Sequence, residues 1–530
     1  MATPCNYLAF DLGASSGRAM LGAFDGTRLT LEQLTRFENG PVCVHGHLYW
    51  DAFRLFEHIK AGIGVCSQRG VKLDAIGIDT WGVDFGLLAK GGELLAMPRH
   101  YRDARHAGGL ARACAQVPRA EIYERTGLQF LPFNSLYQLV AMASEPARVL
   151  DVADKLLFMP DLFTYWLTGA ARTEASIAST SQMLNPRTGR WDLDLVGRLG
   201  LPVRILPSIE QTGSIAGPLR EDVARDVGQD GTPVIYTAGH DTASAVAAVP
   251  VAAGLGVRPA GQTDAASPEP GPSPDPSSPR RVSDLGGRGI GAWAYISSGT
   301  WSLVGVELAE PRITPATLAA DFTNELGVGG TTRFLRNVAG LWLVQECQRT
   351  WASAGQKYSW HDLAQMAEQS RPLAAFVDPD DRRFAEPCDM PTRIRQVCQE
   401  TGQLVPDSAG AVVRCGLESL ALKYRVVLDT LESLLLRTID VIHIVGGGSQ
   451  NALLNQFTAD ATGKPIVAGP VEATAAGNVL VQALAQQRLA SVVELRQVVA
   501  ASSELKQFEP RDVDAWHEAA ERYKRLFRGR

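Results

Sequence analysis

Three short turns rich in glycine and hydroxyl residues carry the most readable chemistry in this chain. They are Asp11-Leu-Gly-Ala-Ser-Ser-Gly-Arg18, Ser297-Ser-Gly-Thr-Trp-Ser302 and Val445-Gly-Gly-Gly-Ser-Gln-Asn451. Each follows an apolar run that reads as a strand, at 7–10, 293–296 and 441–445. A strand running into such a turn aims several backbone N–H groups and hydroxyls at one point, which suits an anionic phosphate. The set predicts a nucleotide triphosphate gripped from two sides. Asp11 would hold Mg²⁺ through water, since that ion keeps most of its waters and needs only one or two carboxylates. Ser15, Ser16 and Arg18 would meet the phosphates. Taken alone, the first turn also fits a capping Asp in a hairpin, and 297–300 a serine-rich hairpin.

Phosphoryl transfer to a hydroxyl needs a carboxylate to accept the alcohol's proton. Asp241, in Thr237-Ala-Gly-His-Asp-Thr-Ala-Ser244, follows an apolar run at 233–237 and precedes a small-residue helix, so its carboxylate emerges at a strand's carboxyl end. Two readings fit it equally: general base, or helix N-cap. His240 alone fits a structural histidine at least as well as a catalytic one. A polyol surface is suggested by Asp79-Thr-Trp-Gly-Val-Asp84 and Tyr101-Arg-Asp-Ala-Arg105, which gather carboxylates, an aromatic ring and a close-approach glycine. Core packing of Trp81 and a surface ion pair of Arg102 with Asp103 are the plainer readings. There is no G-x-x-x-x-G-K-[ST] loop, no G-x-S-x-G elbow and no H-E-x-x-H.

The elements that must position these residues read as α/β. Strands are expected at 7–11, 18–24 and 29–37 with Asp25-Gly26 as a hairpin turn, then a helix from Ala52 with Phe53, Phe56, Ile59 and Ile63 on one face, then a strand at 75–79. The same grammar restarts near residue 292: strands at 293–297, 301–307 and 333–336, a helix from about Leu341, then strand 441–445, helix 452–461, strand 465–468 and helix 473–486. A duplicated α/β unit with an interdomain cleft follows, with domains at 1–245 and 246–530. Residues 258–288 carry seven prolines between Pro259 and Pro279 and no aromatic, so this insertion is expected to be disordered. With 530 residues the chain is long enough for two sizeable cores. A net charge of −6 leaves no basic excess for nucleic acid or an anionic membrane. The amino terminus lacks a signal-peptide pattern and no run is long enough to span a bilayer. Eight scattered cysteines without a C-x-x-C pair read as reduced, mostly buried thiols of a cytoplasmic protein.

Six segments together resemble the FGGY carbohydrate kinase family: 11–18, Gly77-Ile-Asp-Thr-Trp-Gly-Val-Asp-Phe85, 101–105, Gly239-His-Asp-Thr-Ala-Ser-Ala-Val246, 297–303 and Ile444-Val-Gly-Gly-Gly448. The likeness runs from about residue 7 to about 505, apart from the insertion. Gly127-Leu-Gln-Phe-Leu-Pro-Phe-Asn134 and Asn337-Val-Ala-Gly-Leu-Trp-Leu343 are similar to the branch that phosphorylates L-rhamnulose at O1. The resemblance implies two actin-like (RNase-H-like) domains closing on ATP and sugar, with Mg²⁺, as a monomer or homodimer. It implies that Ala14, Ser15, Ser16, Gly17, Arg18, Thr300, Gln345, Gly446, Gly447 and Gly448 bind ATP. Gly82, His240, Thr242 and Asn337 would line the sugar, and Asp241 would both contact it and accept its proton. A kinase for another ketose (fuculose or xylulose), an actin- or chaperone-like ATPase and a non-catalytic sugar sensor are the alternatives.

Overall fold

The first apolar run forms β1 (Cys5–Leu12), buried from Tyr7 to Leu12 as a strand covered on both faces must be. The computed structural model describes residues 4–251 and 293–528; the expected disordered insertion at 258–288 lies outside the described residues. β1 pairs antiparallel with β2 (Ser16–Phe24), and β2 antiparallel with β3 (Leu29–Glu38). The β2–β3 connection turns at Asp25, whose carboxylate accepts the N–H groups of Thr27 and Arg28, while Gly26 takes φ +99°. On its other side β1 runs parallel to β4 (Ala75–Thr80). β5 (Ser214–Pro218) and β6 (Pro233–Tyr236) complete a six-stranded sheet in the order β5-β6-β4-β1-β2-β3.

The second half repeats this plan. β7 (Trp293–Ser298), β8 (Trp301–Leu308), β9 (Thr323–Leu326), β10 (Thr332–Ala339), β11 (Val441–Val445), β12 (Ile466–Ala468) and β13 (Lys506–Phe508) form a seven-stranded sheet ordered β9-β10-β8-β7-β11-β12-β13. In each sheet a central strand has antiparallel partners on one side and parallel partners on the other. The parallel neighbours require helical crossovers, which is where the long helices fall.

Helix α1 (Ala52–Gln68) starts on Asp51, whose carboxylate accepts the Arg54 N–H. Its buried face is Ala52, Leu55, Ile59, Ile63 and Cys66. Phe53, expected on that face, is 57% exposed and stacks on Trp166 instead. At 100° per residue, Phe53 lies one step off the stripe that Leu55 and Ile59 define. Between β4 and β5 the chain builds a mostly helical subdomain that includes α2 (Ser135–Ala143) and has its own apolar core.

Two helices join the halves. α3 (Asp241–Ala247) follows β6; beyond β10 the chain forms α4 (Trp342–Ser353), α5 (Ala409–Leu435), α6 (Ala452–Thr462) and, after β12, α7 (Ala473–Ala485). The expected domain boundary at 245/246 falls inside α3. α3 is built mostly of small residues and α7 is rich in alanine, and they pack against each other in a core shared by both sheets. Their approach is close enough that a Cβ added at Gly477 would sit 1.9 Å from the Ser244 carbonyl oxygen. All eight cysteines are free thiols: Cys66, Cys347, Cys398 and Cys415 are buried, Cys43 is exposed, and the others are half-buried. Among the described residues, no helix is long and apolar enough to cross a membrane.

Gly477→Ala tests this junction. Alanine ordinarily gains about 1 kcal/mol in a helix interior, but overpacking against α3 costs about 1–3 kcal/mol. We expect a lower urea midpoint, whereas a midpoint at or above wild type contradicts the close crossing.

Candidate active site

The three glycine-rich turns sit at the carboxyl ends of β1, β7 and β11, and β7 and β11 are direct parallel neighbours, with Ser297 opposite Val445. The first turn closes with the Gly13 N–H donating to the Ser16 carbonyl. The second and third interlock: a Cβ at Gly448 would sit 2.0 Å from Ser298 Oγ, and Gly446 adopts φ +84° beside the Ser298 carbonyl. Only glycine fits these two positions. Ser298 Oγ is buried without a hydrogen-bond partner.

All three turns border one cavity of about 370 Å³ between the two sheets. Asp11, Ala14, Ser15, Ser16, Arg18, Thr300, Gly446 and Gly447 line it on the turn side. Gly82, His240, Asp241, Thr242 and Asn337 line the same cavity. Three expected residues stand back from the lining. Gly17 lies within β2, facing the Phe37 ring; Gly448 backs onto Ser298; Gln345 is half-buried on α4.

The electrostatics centre on carboxylates. β1 and β4 pair Asp11 directly with Asp79, and the backbone N–H of Thr80 donates to the Gly239 carbonyl, which brings Asp241 beside them. Burial pushes the Asp79 carboxyl well above the usual range, and the neighbouring Asp11 and Asp241 charges add to this. Asp79 Oδ2 accepts the Asn478 side-chain N–H at 2.6 Å, whereas Oδ1 is buried without a partner. Arg18 answers Asp11, donating from Nε and Nη2 to Oδ2 at 3.0 and 2.6 Å, and also pairs with Glu472 at 2.7 Å. Arg18 is thus a counter-ion for the acidic cluster as well as a residue of the turn.

Asp241 is the first residue of α3, and His240 occupies the N-cap position. Asp241 is therefore not the N-cap residue, although its Oδ1 accepts a first-turn N–H of the helix, that of Thr242, at 2.6 Å, and the Thr242 hydroxyl at 3.2 Å. Burial raises its pKa; His240 opposes the rise, and the charge of Asp11 adds to it. The loop before it is held by Glu174, whose Oε2 accepts the Gly239 N–H, while Ser176 Oγ accepts the His240 N–H.

The segment at 79–84 divides its labour. Gly82 and Val83 border the cavity, and Val83 takes φ +70°, unusual for a β-branched residue. Asp84 does not face the cavity, contrary to the sugar-binding expectation. It is buried and accepts four N–H donors, from Trp50, Trp81, Tyr101 and Gln138. Burial nonetheless pushes its carboxyl up to about 7. Trp81 packs against Trp50 with ring centres 3.9 Å apart. Arg102 makes no surface pair with Asp103. It crosses to the second half, donating to the Ala385 carbonyl and lying over the Trp342 ring. Asp103 is buried and accepts the N–H groups of Leu48 and Arg105.

Several site residues carried no legible signal. Gln129 bridges the halves, its Oε1 accepting both the N–H and the side-chain N–H of Asn337 at 3.0 Å. Its place within 127–134 was the one available clue. Glu325 and Arg333 approach His240 from β9 and β10, and nothing in their spacing links them to residue 240.

Comparison with known proteins gives the chain's family and fold. The N-terminal domain model of the FGGY family of carbohydrate kinases matches residues 6–248, and its C-terminal domain model matches 294–486. The chain is 43% identical over 523 residues to the rhamnulokinase of Bacteroides thetaiotaomicron, covering 99% of each chain. It is 37% identical over 508 residues to that of Bacillus subtilis, covering 96% of each. The crystal structure of gluconate kinase from Lactobacillus acidophilus shares the fold at a TM-score of 0.75 and 16% identity, over 99% of this chain and 98% of that one.

Asp84→Asn probes the wall behind the cavity. An amide oxygen can serve the two indole N–H groups and the Tyr101 N–H, but its NH₂ then opposes the Gln138 NH₂. We expect a loss of about 1–3 kcal/mol in chemical denaturation. Unchanged stability would show that Asp84 is not a hydrogen-bond hub.

Proposed function

The chain belongs to the FGGY family of carbohydrate kinases, and on that premise we propose that it transfers the γ-phosphoryl group of ATP to O1 of L-rhamnulose, giving L-rhamnulose 1-phosphate and ADP. The observation that carries the reading is that one cavity is bordered both by all three glycine-rich turns and by Asp241, His240 and Asn337. The 37–43% identity to rhamnulokinases over almost the whole chain supports the choice of sugar. The volume is that of a small-molecule site and lies between domains, where such sites are common.

In this reading the backbone and hydroxyls of 13–18 and Thr300, with Gly446 and Gly447, hold the triphosphate, while Gly448 lets the third turn pack on Ser298 behind them. Gly82, Thr242 and Asn337 contact the sugar; Gln129 fixes the amide of Asn337, so its free oxygen accepts a hydroxyl proton. Asp11 and Asp79 fit a hard divalent cation. The two residues are neighbours across the β1–β4 ladder, Asp11 borders the cavity, and Asp79 Oδ1 lacks a donor. Among the described residues, no group of three or more His, Cys, Asp or Glu could cage a metal by itself, so Mg²⁺ held mainly through water and phosphate suits the site. When bound, Mg²⁺ supplies neutralisation of charge on the transferring phosphoryl. Asp241 accepts the O1 proton as the oxygen attacks, and the closing of the two halves excludes water that would otherwise take the phosphoryl. We place the reaction in the cytoplasm.

An ADP-release assay over a panel of ketoses tests the substrate, with L-rhamnulose expected to give the highest kcat/KM. A higher value for fuculose or xylulose would reassign the sugar, and ATP hydrolysis indifferent to any sugar would reject the kinase reading. Asp241→Asn is expected to lower kcat by about 10²–10⁴-fold while the KM for ATP stays within about threefold. Near-normal turnover removes Asp241 from the role. Because Asp241 must be ionised and its pKa is raised by burial, activity is full above that pKa and lost as pH falls through it. The acid limb of kcat/KM is therefore expected above the ordinary aspartate value of about 4. A limb at or below 4 contradicts the assignment.

A further inference from the structure

Arg333 on β10 is completely buried, which is costly for a guanidinium unless it is paired. Its Nη2 lies 3.0 Å from Glu325 Oε2 on the neighbouring strand β9 and 3.2 Å from His240 Nδ1. Glu325 Oε2 is itself 3.2 Å from Nδ1. On the far side of the imidazole, Nε2 faces Asp241 Oδ1 at 3.4 Å. Arg333 holds the Glu325 carboxyl below its usual range against the burial that would raise it, so the pair is an ionised one. His240 and Asp241 belong to the first half of the molecule, Glu325 and Arg333 to the second, and the chain of contacts crosses the cleft.

The donors and acceptors assign the ring. Of the two groups 3.2 Å from Nδ1, only Arg333 Nη2 makes a hydrogen bond with it, Glu325 Oε2 having no hydrogen-bond partner, and arginine can only donate, so Nδ1 accepts. With Nδ1 accepting, the hydrogen of the neutral imidazole is on Nε2, which lies 3.4 Å from Asp241 Oδ1. Resting on the kinase reading above, we propose that Glu325 and Arg333 are positioning residues: a buried charge pair of the second domain that fixes the His240 imidazole with Nε2–H on Asp241, so the proton acceptor is set only when the two domains are docked. The Nε2–H, 3.4 Å from Oδ1, favours the ionised Asp241 carboxylate and the orientation in which it meets the sugar hydroxyl. Glu325 borders the cavity, yet its charge is spent on Arg333 rather than on a ligand.

The test uses full-length protein with ¹⁵N-labelled histidine, the His240 ring signals being assigned by their loss in His240→Gln. In ligand-free wild type the proposal requires a pyrrole-type Nε2 and a pyridine-type Nδ1; a neutral ring protonated on Nδ1 overturns it without any further variant. Arg333→Met strands the Glu325 charge and risks misfolding, so the decisive variant is Glu325→Met with Arg333→Met, which removes both charges together. Its expected phenotype is a mixed His240 tautomer and a kcat lowered about 10- to 100-fold, the scale of a lost orienting partner, with the KM for ATP unchanged. A double variant with wild-type kcat, or with an unaltered ring signal, overturns the proposal. If wild type phosphorylates no ketose, the kinase reading falls, while the ring nitrogens still decide the positioning.

Discussion

Three carboxylates that would repel one another sit at one end of two paired strands, and the rest of the site exists to tolerate them. Asp11 and Asp79 are neighbours across the β1–β4 ladder, and the Thr80–Gly239 hydrogen bond draws Asp241 to the same corner. Left alone, such a group would take up protons, as the upward shift at Asp79 and Asp241 indicates. The protein supplies partial relief: Arg18 against Asp11, the Asn478 amide against Asp79, and the Thr242 N–H and hydroxyl against Asp241. In the proposed reaction Asp11 and Asp79 would hold the magnesium of the nucleotide, which would neutralise part of this charge, and Asp241 would take the proton.

Those relief contacts come from both halves. Asn478 lies on α7, which follows the second sheet, yet its amide bonds a carboxylate of the first sheet. Next along that helix, Gln482 donates to both Asn478 and the Leu8 carbonyl. The small residues of α3 and α7 let these polar side chains reach across because the helix backbones nearly touch. Packing at the junction and charge at the site are thereby one construction. A shift of either helix would move Asn478 away from Asp79 and α3, with Asp241 at its head, away from the phosphate turns.

Much of this was legible in the amino acids. Most strands along the chain, the three turns and Asp241 at a strand's end followed from apolar runs interrupted by glycine and hydroxyl residues, because backbone constraints there are local, whereas β5, β9 and β13 were not expected. What escaped was non-local. Asp84 read as a sugar ligand because its segment looks polar, but folding points it at Trp50, Trp81 and Gln138. Arg102 read as the partner of the adjacent Asp103, whereas both bind elsewhere. Phe53 showed the periodicity of a core residue and lies outside by one helical step. Arg333 and Glu325 reach His240 from about ninety positions away, a relation set only by the register of β9 against β10.

The most direct measurement is a crystal structure of the full chain with L-rhamnulose, Mg²⁺ and a non-hydrolysable ATP analogue. The account predicts the sugar O1 within about 2.6–3.2 Å of the Asp241 carboxylate, with the terminal phosphate between the 13–18 and 297–300 turns. A sugar whose O1 points away from Asp241, or a terminal phosphate lying outside those turns, would contradict it.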